Sequence, residues 1–112
     1  MFDTPDPGLP QVTVDEVKKA LDDKEKVVII DVRSPEEVAK GKIENSINIP
    51  LQDISTKIET IIPDKGQKVF VYCLSGSRSP FAVSEMLKKG YKNVFDVKYG
   101  LLAWRVKHYP TI

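Results

Sequence analysis

Short apolar runs and amphipathic stretches alternate along this chain. Val27–Ile30, Ser46–Ile49, Val69–Tyr72 and Val94–Val97 are short and rich in β-branched or aromatic residues, so each is read as a strand. Between them the apolar spacing lengthens to that of a helix. Thr13-Val14-Asp15-Glu16 is a capping box, with Val12 and Val17 placed as a hydrophobic staple, and predicts a helix to Asp22 or Asp23. Ser34-Pro35-Glu36-Glu37 is a second capping box with proline at the first helical position, and opens a short helix that stops at Gly41. Pro50 starts a helix with Leu51, Ile54, Ile58 and Ile61 on one face, ended by Pro63. Val83, Met86 and Leu87 give the next helix its apolar face, and Gly90 stops it; a last helix runs from Leu101 to about Lys107.

Strands that alternate with helices predict an α/β fold, with a parallel sheet covered on both faces and ligands beyond the C-terminal ends of the strands. Asp31 and Cys73 fall at such ends. Residues 1–10 carry Pro5, Pro7, Gly8 and Pro10 and are expected to be irregular, which leaves 11–112 as one domain.

Composition narrows the setting. A chain of 112 residues is the length of one domain with an adequate core. Its single cysteine cannot close an internal disulfide, which fits a reducing, cytoplasmic compartment. The stretch Met1-Phe2-Asp3-Thr4-Pro5-Asp6-Pro7 lacks the apolar core of a signal peptide, and no run approaches the length of a membrane span. A net charge of +1 with both signs interspersed offers no bulk field for nucleic acid. One cysteine and one histidine make no metal-ligand cluster, so neither a metal nor an organic cofactor is expected.

The chemistry points to Tyr72-Cys73-Leu74-Ser75-Gly76-Ser77-Arg78-Ser79-Pro80. Here a strand ends in a cysteine, and a loop of small residues turns into a helix N-terminus. Unpaired backbone N–H groups and the positive end of the helix dipole favour an anion at that place, hence a thiolate. Gly76 lets the backbone fold back so that its amides converge, Arg78 adds a fixed charge, Ser79 is read as the N-cap and Pro80 as the first helical residue. A lone cysteine without such surroundings is more often a buried structural thiol.

Cys73-Leu74-Ser75-Gly76-Ser77-Arg78 resembles the active-site loop of the rhodanese family of sulfurtransferases, in its C-x-x-G-x-R form. Three further blocks agree in order. Ile30-Asp31-Val32-Arg33-Ser34-Pro35-Glu36-Glu37 is similar to the family's D-V-R-x-x-x-E segment. Gly41-Lys42-Ile43-Glu44-Asn45-Ser46-Ile47-Asn48-Ile49-Pro50 resembles G-H-I-x-x-A-x-N-I-P, and Val94 to Trp104 resembles V-x-x-L-x-G-G-x-x-x-W. The likeness runs from about Val12 to Pro110. It implies a three-layer α/β/α domain around a mainly parallel sheet of about five strands.

It also implies sulfane-sulfur transfer: a Cys73 persulfide, formed from a donor such as thiosulfate, is discharged to cyanide or a thiol, with a sulfur-relay protein as a further partner. Leu74, Ser75, Gly76, Ser77, Arg78 and Ser79 would then cradle the persulfide, Arg78 would meet the donor's oxyanion end, and Asp31 and Arg33 would support the loop. Cysteine phosphatases and arsenate reductases of the same fold are the alternative, but their loops place five residues between cysteine and arginine where this chain has four. A non-catalytic binding or sulfur-carrier module is the third reading; such modules commonly lack the cysteine. His108 is read as an exposed or capping residue and Trp104 as core. Two positions depart from the family pattern. Lys42 stands for its usual histidine, and Tyr99 for the first glycine of its Gly-Gly pair, which puts Tyr99 at the pocket rim.

Overall fold

A computed structural model describes residues 8–112 of the chain; residues 1–7 of the segment expected to be irregular lie outside the described residues. In chain order the elements are β1 Gln11–Val12, α1 Val14–Asp22, β2 Val28–Asp31, α2 Pro35–Val38, β3 Ser46–Asn48, α3 Ile54–Ile61, β4 Val69–Tyr72, α4 Ser79–Lys88, β5 Val94–Val97 and α5 Gly100–Val106. The strands form one sheet in the order β1-β5-β4-β2-β3, and every pairing is parallel. The apolar strands β2 and β4 lie inside, as strands buried on both faces must.

Alternation along the strands divides the core in two. Ile30, Val69 and Val71 pack with Ile54 and Ile58 of α3 and Val83 and Met86 of α4. Ile29, Phe70 and Tyr72 face the other way, onto Val17 and Ala20 of α1 and Leu101 and Trp104 of α5. The result is the three-layer α/β/α arrangement that the family resemblance implies. Both capping boxes form as read: the Thr13 and Ser34 hydroxyls accept from the N–H groups of Glu16 and Glu37, whose carboxylates accept in return.

Two details differ from the sequence reading. The fifth strand is β1, at a place where the sequence predicts only a staple role for Val12; Gln11 and Val12 pair with Asp96 and Val97 across 85 residues of chain, a contact without local signal. The helix expected from Pro50 begins as a 3-10 turn over Leu51–Asp53 and becomes α-helical only at Ile54, because Pro50 itself stays extended. Among the described residues no helix is long and apolar enough to cross a membrane.

Candidate active site

β4 sits mid-sheet, so its C-terminal end opens where ligands of parallel sheets lie. The alternation that turns Val69 and Val71 toward α4 turns Cys73 the same way, and the residue is fully buried. The loop then wraps the sulfur with backbone donors. Sγ accepts from the N–H groups of Gly76 at 3.2 Å, Arg78 at 3.4 Å and Ser79 at 3.4 Å. Gly76 takes a φ of +95°, which glycine adopts without steric cost, and so aims its amide inward. The sulfur also lies at the N-terminus of a ten-residue helix, where the dipole favours negative charge. Such a nest suits a sulfur anion, and the donors need no rearrangement when one forms.

The loop is braced from behind by α5. The N–H groups of Leu101 and Leu102 each donate at 2.9 Å to the carbonyls of Cys73 and Leu74. That approach leaves no room for a side chain at Gly100, where a Cβ would stand 2.4 Å from the Cys73 carbonyl oxygen. Tyr99 precedes it with φ +60°, a left-handed conformation that explains why the family pattern has glycine at both positions. The Tyr99 ring is exposed, and it borders a shallow apolar depression with Ser75, Leu102 and Val106, next to the loop.

The other residues singled out by the sequence take varied places. The Arg78 guanidinium forms a bidentate ion pair with Glu37, at 2.7 and 2.9 Å. These bonds hold the Glu37 carboxyl down at about 2. Asp31 and Arg33 form a buried ion pair at 2.8 Å, with the Arg33 guanidinium 5.9 Å from the centre of the Tyr72 ring. Arg33 also donates to the carbonyls of Gly41 and Glu37, at 2.7 and 3.4 Å, so it holds α2, and α2 holds Arg78. The hydroxyls of Ser75 and Ser77 meet each other at 3.5 Å on the surface. Ser79 is not the N-cap. It is the first residue of α4, Arg78 holds the cap position without a side-chain capping bond, and Pro80 is the second residue. The Ser79 hydroxyl points inward to Asp96, because a buried carboxylate there needs a donor.

Lys42 secures its turn by donating from Nζ to the Ser46 carbonyl and by pairing its backbone with Ile112. Trp104 is core, its Nε1 donating to the Pro110 carbonyl at 2.9 Å. His108 is exposed beyond the end of α5. Sequence reading did not single out Glu37, Asp96 and Gln11, which the structure links to Arg78, Ser79 and Asp96 respectively. Glu37 carried a signal, an acidic residue in a resemblance block, but its capping role accounted for it locally. Asp96 also carried one, a carboxylate inside an apolar strand.

Residues 13–107 match the family model of the rhodanese-like domain. A sulfurtransferase of Allochromatium vinosum is 29% identical over 102 residues, covering 91% of this chain and 94% of that one. YtwF of Bacillus subtilis, which carries a provisional sulfurtransferase name, is 35% identical over 100 residues, covering 89% of this chain and 94% of its own. The crystal structure of a rhodanese-related protein from Thermoplasma volcanium superposes with a TM-score of 0.81 at 30% identity, covering 92% of this chain and 97% of that one. Other relatives are longer, and this chain spans 53% of one and 30% of another.

Proposed function

The chain belongs to the rhodanese-like domain family, and we propose that it moves sulfane sulfur from a donor such as thiosulfate to a thiophilic acceptor through a persulfide on Cys73. The Cys73 thiolate attacks the donor's outer sulfur, the donor S–S bond breaks, and sulfite leaves with the bonding pair. Cyanide or a thiolate then attacks the terminal sulfur of the persulfide, takes it, and regenerates the thiolate. Sulfur carries negative charge at each resting stage. The observation that supports this reading best is the convergence of the Gly76, Arg78 and Ser79 amides on Sγ, which stabilises such charge where it forms. A single cysteine leaves no internal thiol to discharge the persulfide, so the acceptor is external: a small thiol, cyanide, or a sulfur-relay protein. Leu74 and the Ser75 and Ser77 backbone complete the cradle, and Asp31 and Arg33 act on it through α2 and Arg78. All of this acts within one domain, residues 11–112, in a reducing compartment.

Intact-mass spectrometry tests the reading. Incubation with thiosulfate adds one sulfur, about 32 Da, and cyanide removes it. An unchanged mass, or turnover of an aryl phosphate in place of sulfur transfer, overturns it in favour of the phosphatase alternative.

A further inference from the structure

Asp96 is a carboxylate inside the sheet. It lies on β5, opposite Gln11 of β1 and Val71 of β4, and only 2% of its surface is exposed. Neutral donors meet its oxygens: Ser79 Oγ at 2.5 Å and Gln11 Nε2 at 3.1 Å. Burying a carboxylate on neutral partners is costly, so its presence calls for a cause. Burial pushes its carboxyl above the ordinary aspartate range, and the bonds from Ser79 and Gln11 pull it partly back. Ser79 Oγ in turn lies 3.5 Å from Cys73 Sγ, on the side where the sulfur donates. Sulfur, hydroxyl and carboxylate thus form one buried chain.

A hydroxyl has a single proton to give. When the hydroxyl donates that proton in a hydrogen bond to the Asp96 carboxylate, Ser79 faces the sulfur with lone pairs, which suits a thiol and opposes a thiolate. A thiolate needs Ser79 to donate to sulfur, and Ser79 then needs a donor behind it, which among the described residues a protonated Asp96 supplies. Two arrangements therefore satisfy every group in the chain. One has a Cys73 thiol and an Asp96 carboxylate; the other has a Cys73 thiolate and an Asp96 carboxylic acid.

We propose that Cys73 and Asp96 share one proton through the Ser79 hydroxyl, and that Asp96 takes up the thiol proton when the thiolate forms. The Sγ–H bond breaks as a new bond forms to Ser79 Oγ, and the original Oγ–H proton passes to Asp96 Oδ1. The negative charge moves from Asp96 to Sγ, where three amides receive it, and no proton is lost to water. Asp96 acts through Ser79 and is a positioning residue. Among the described residues, the other charges that bear on Cys73 are Arg78, paired with Glu37, and Asp31, which acts on Arg78. Glu85 and Lys88 lie six and nine residues beyond Ser79 on α4, Lys98 is exposed past the end of β5, and Tyr72 faces the opposite side of the sheet, toward Ile43 and Ser46.

The shared proton makes the two groups titrate as a pair. In the full chain labelled with 13C at aspartate carboxyls, the Asp96 carbon should move in two steps with rising pH, both toward carboxylate. The second should coincide with loss of the last proton from Cys73, read from the pH profile of alkylation by iodoacetamide. Cys73→Ser keeps a hydrogen-bonding group that does not ionise, and should collapse the Asp96 curve to one step. Reciprocally, Asp96→Asn should convert a two-step alkylation profile to a single step. A single full-amplitude step for Asp96 in the wild-type chain, or the same curve in Cys73→Ser, overturns the proposal. The Cys73→Ser comparison leaves Asp96 in place, so it stands even where Asp96→Asn fails to fold. The consequence for catalysis rests on the reading of Cys73 as the sulfur-loaded nucleophile, which sulfur loading of the same wild-type sample, read by mass, tests separately; loading with a one-step Asp96 curve removes the shared proton alone.

Discussion

Glu37→Gln removes the charge that holds Arg78 and little else, since glutamine serves a capping box as glutamate does. In the folded chain the hydrogen bonds from Arg78, the largest cause, lower the Glu37 carboxyl from 4.5 to about 2. Expressed in full, that difference is worth roughly 3 kcal/mol. The two side chains are 34% and 33% exposed, and solvent screening at such exposure leaves about 1–1.5 kcal/mol. The sign follows from a folded value below the unfolded one. The stabilisation is complete above about pH 4.5 and is lost as pH falls toward 2. Urea unfolding of wild type and Glu37→Gln should therefore show a gap of about 1–1.5 kcal/mol at pH 7 that closes through the acid range.

The same pair sets the charge at the lip of the site. Glu37→Gln relieves Arg78 of its opposing charge beside a dianionic donor, so the KM for thiosulfate should fall. Arg78→Ala leaves the Glu37 carboxylate alone there and should raise it, with a loss of roughly tenfold in kcat/KM, the size of one charge-assisted contact. Alkylation of Cys73 by neutral iodoacetamide should change less in both. A stability gap that is constant with pH, or two variants that move KM in the same direction, would refute the reasoning.

Cys73→Ser should lose sulfur loading entirely while its unfolding midpoint stays near the wild-type value, because a serine hydroxyl does not ionise at neutral pH; measurable loading by mass would remove Cys73 as the nucleophile. Gly100→Ala places a Cβ against the Cys73 carbonyl at a positive φ, and should destabilise the chain by about 2 kcal/mol or more in urea unfolding and slow sulfur loading. Tyr99→Gly relieves a left-handed tyrosine and should raise stability by about 0.5–1 kcal/mol, the strain relieved less the entropy glycine adds to the unfolded chain. A destabilised Tyr99→Gly would mean that the ring's contacts outweigh the backbone strain.

Two carboxylates at the sheet's active edge show how far the sequence could be read. Asp31 finds its partner two residues on: Arg33 donates to it from backbone and guanidinium, and Asn48 closes the turn by donating to the carbonyls of both. The Asp31–Arg33 pair is local, two residues apart inside the D-V-R block. The capping boxes at Thr13 and Ser34, and the strand that ends in Cys73, are legible for the same reason, since propensity and period act over a few residues. Asp96 has no such neighbour. Its donors are Ser79, 17 residues earlier, and Gln11, 85 residues earlier, on a two-residue strand too short to leave a period.

Ser79 shows the conflict within a single side chain. Before a proline its local preference is to cap a helix, and the sequence can see nothing else. In the folded chain, parallel pairing of β4 with β5 brings Asp96 beside it, and the cost of an unsatisfied buried carboxylate exceeds the gain of a cap. Arg78 follows the same logic: its side chain pairs with Glu37 across 41 residues, while its backbone N–H donates to the sulfur. The local sequence therefore specifies where Cys73 stands. Pairings between distant strands decide which charges face it, and those charges are the quantities that the Glu37, Arg78 and Asp96 variants measure.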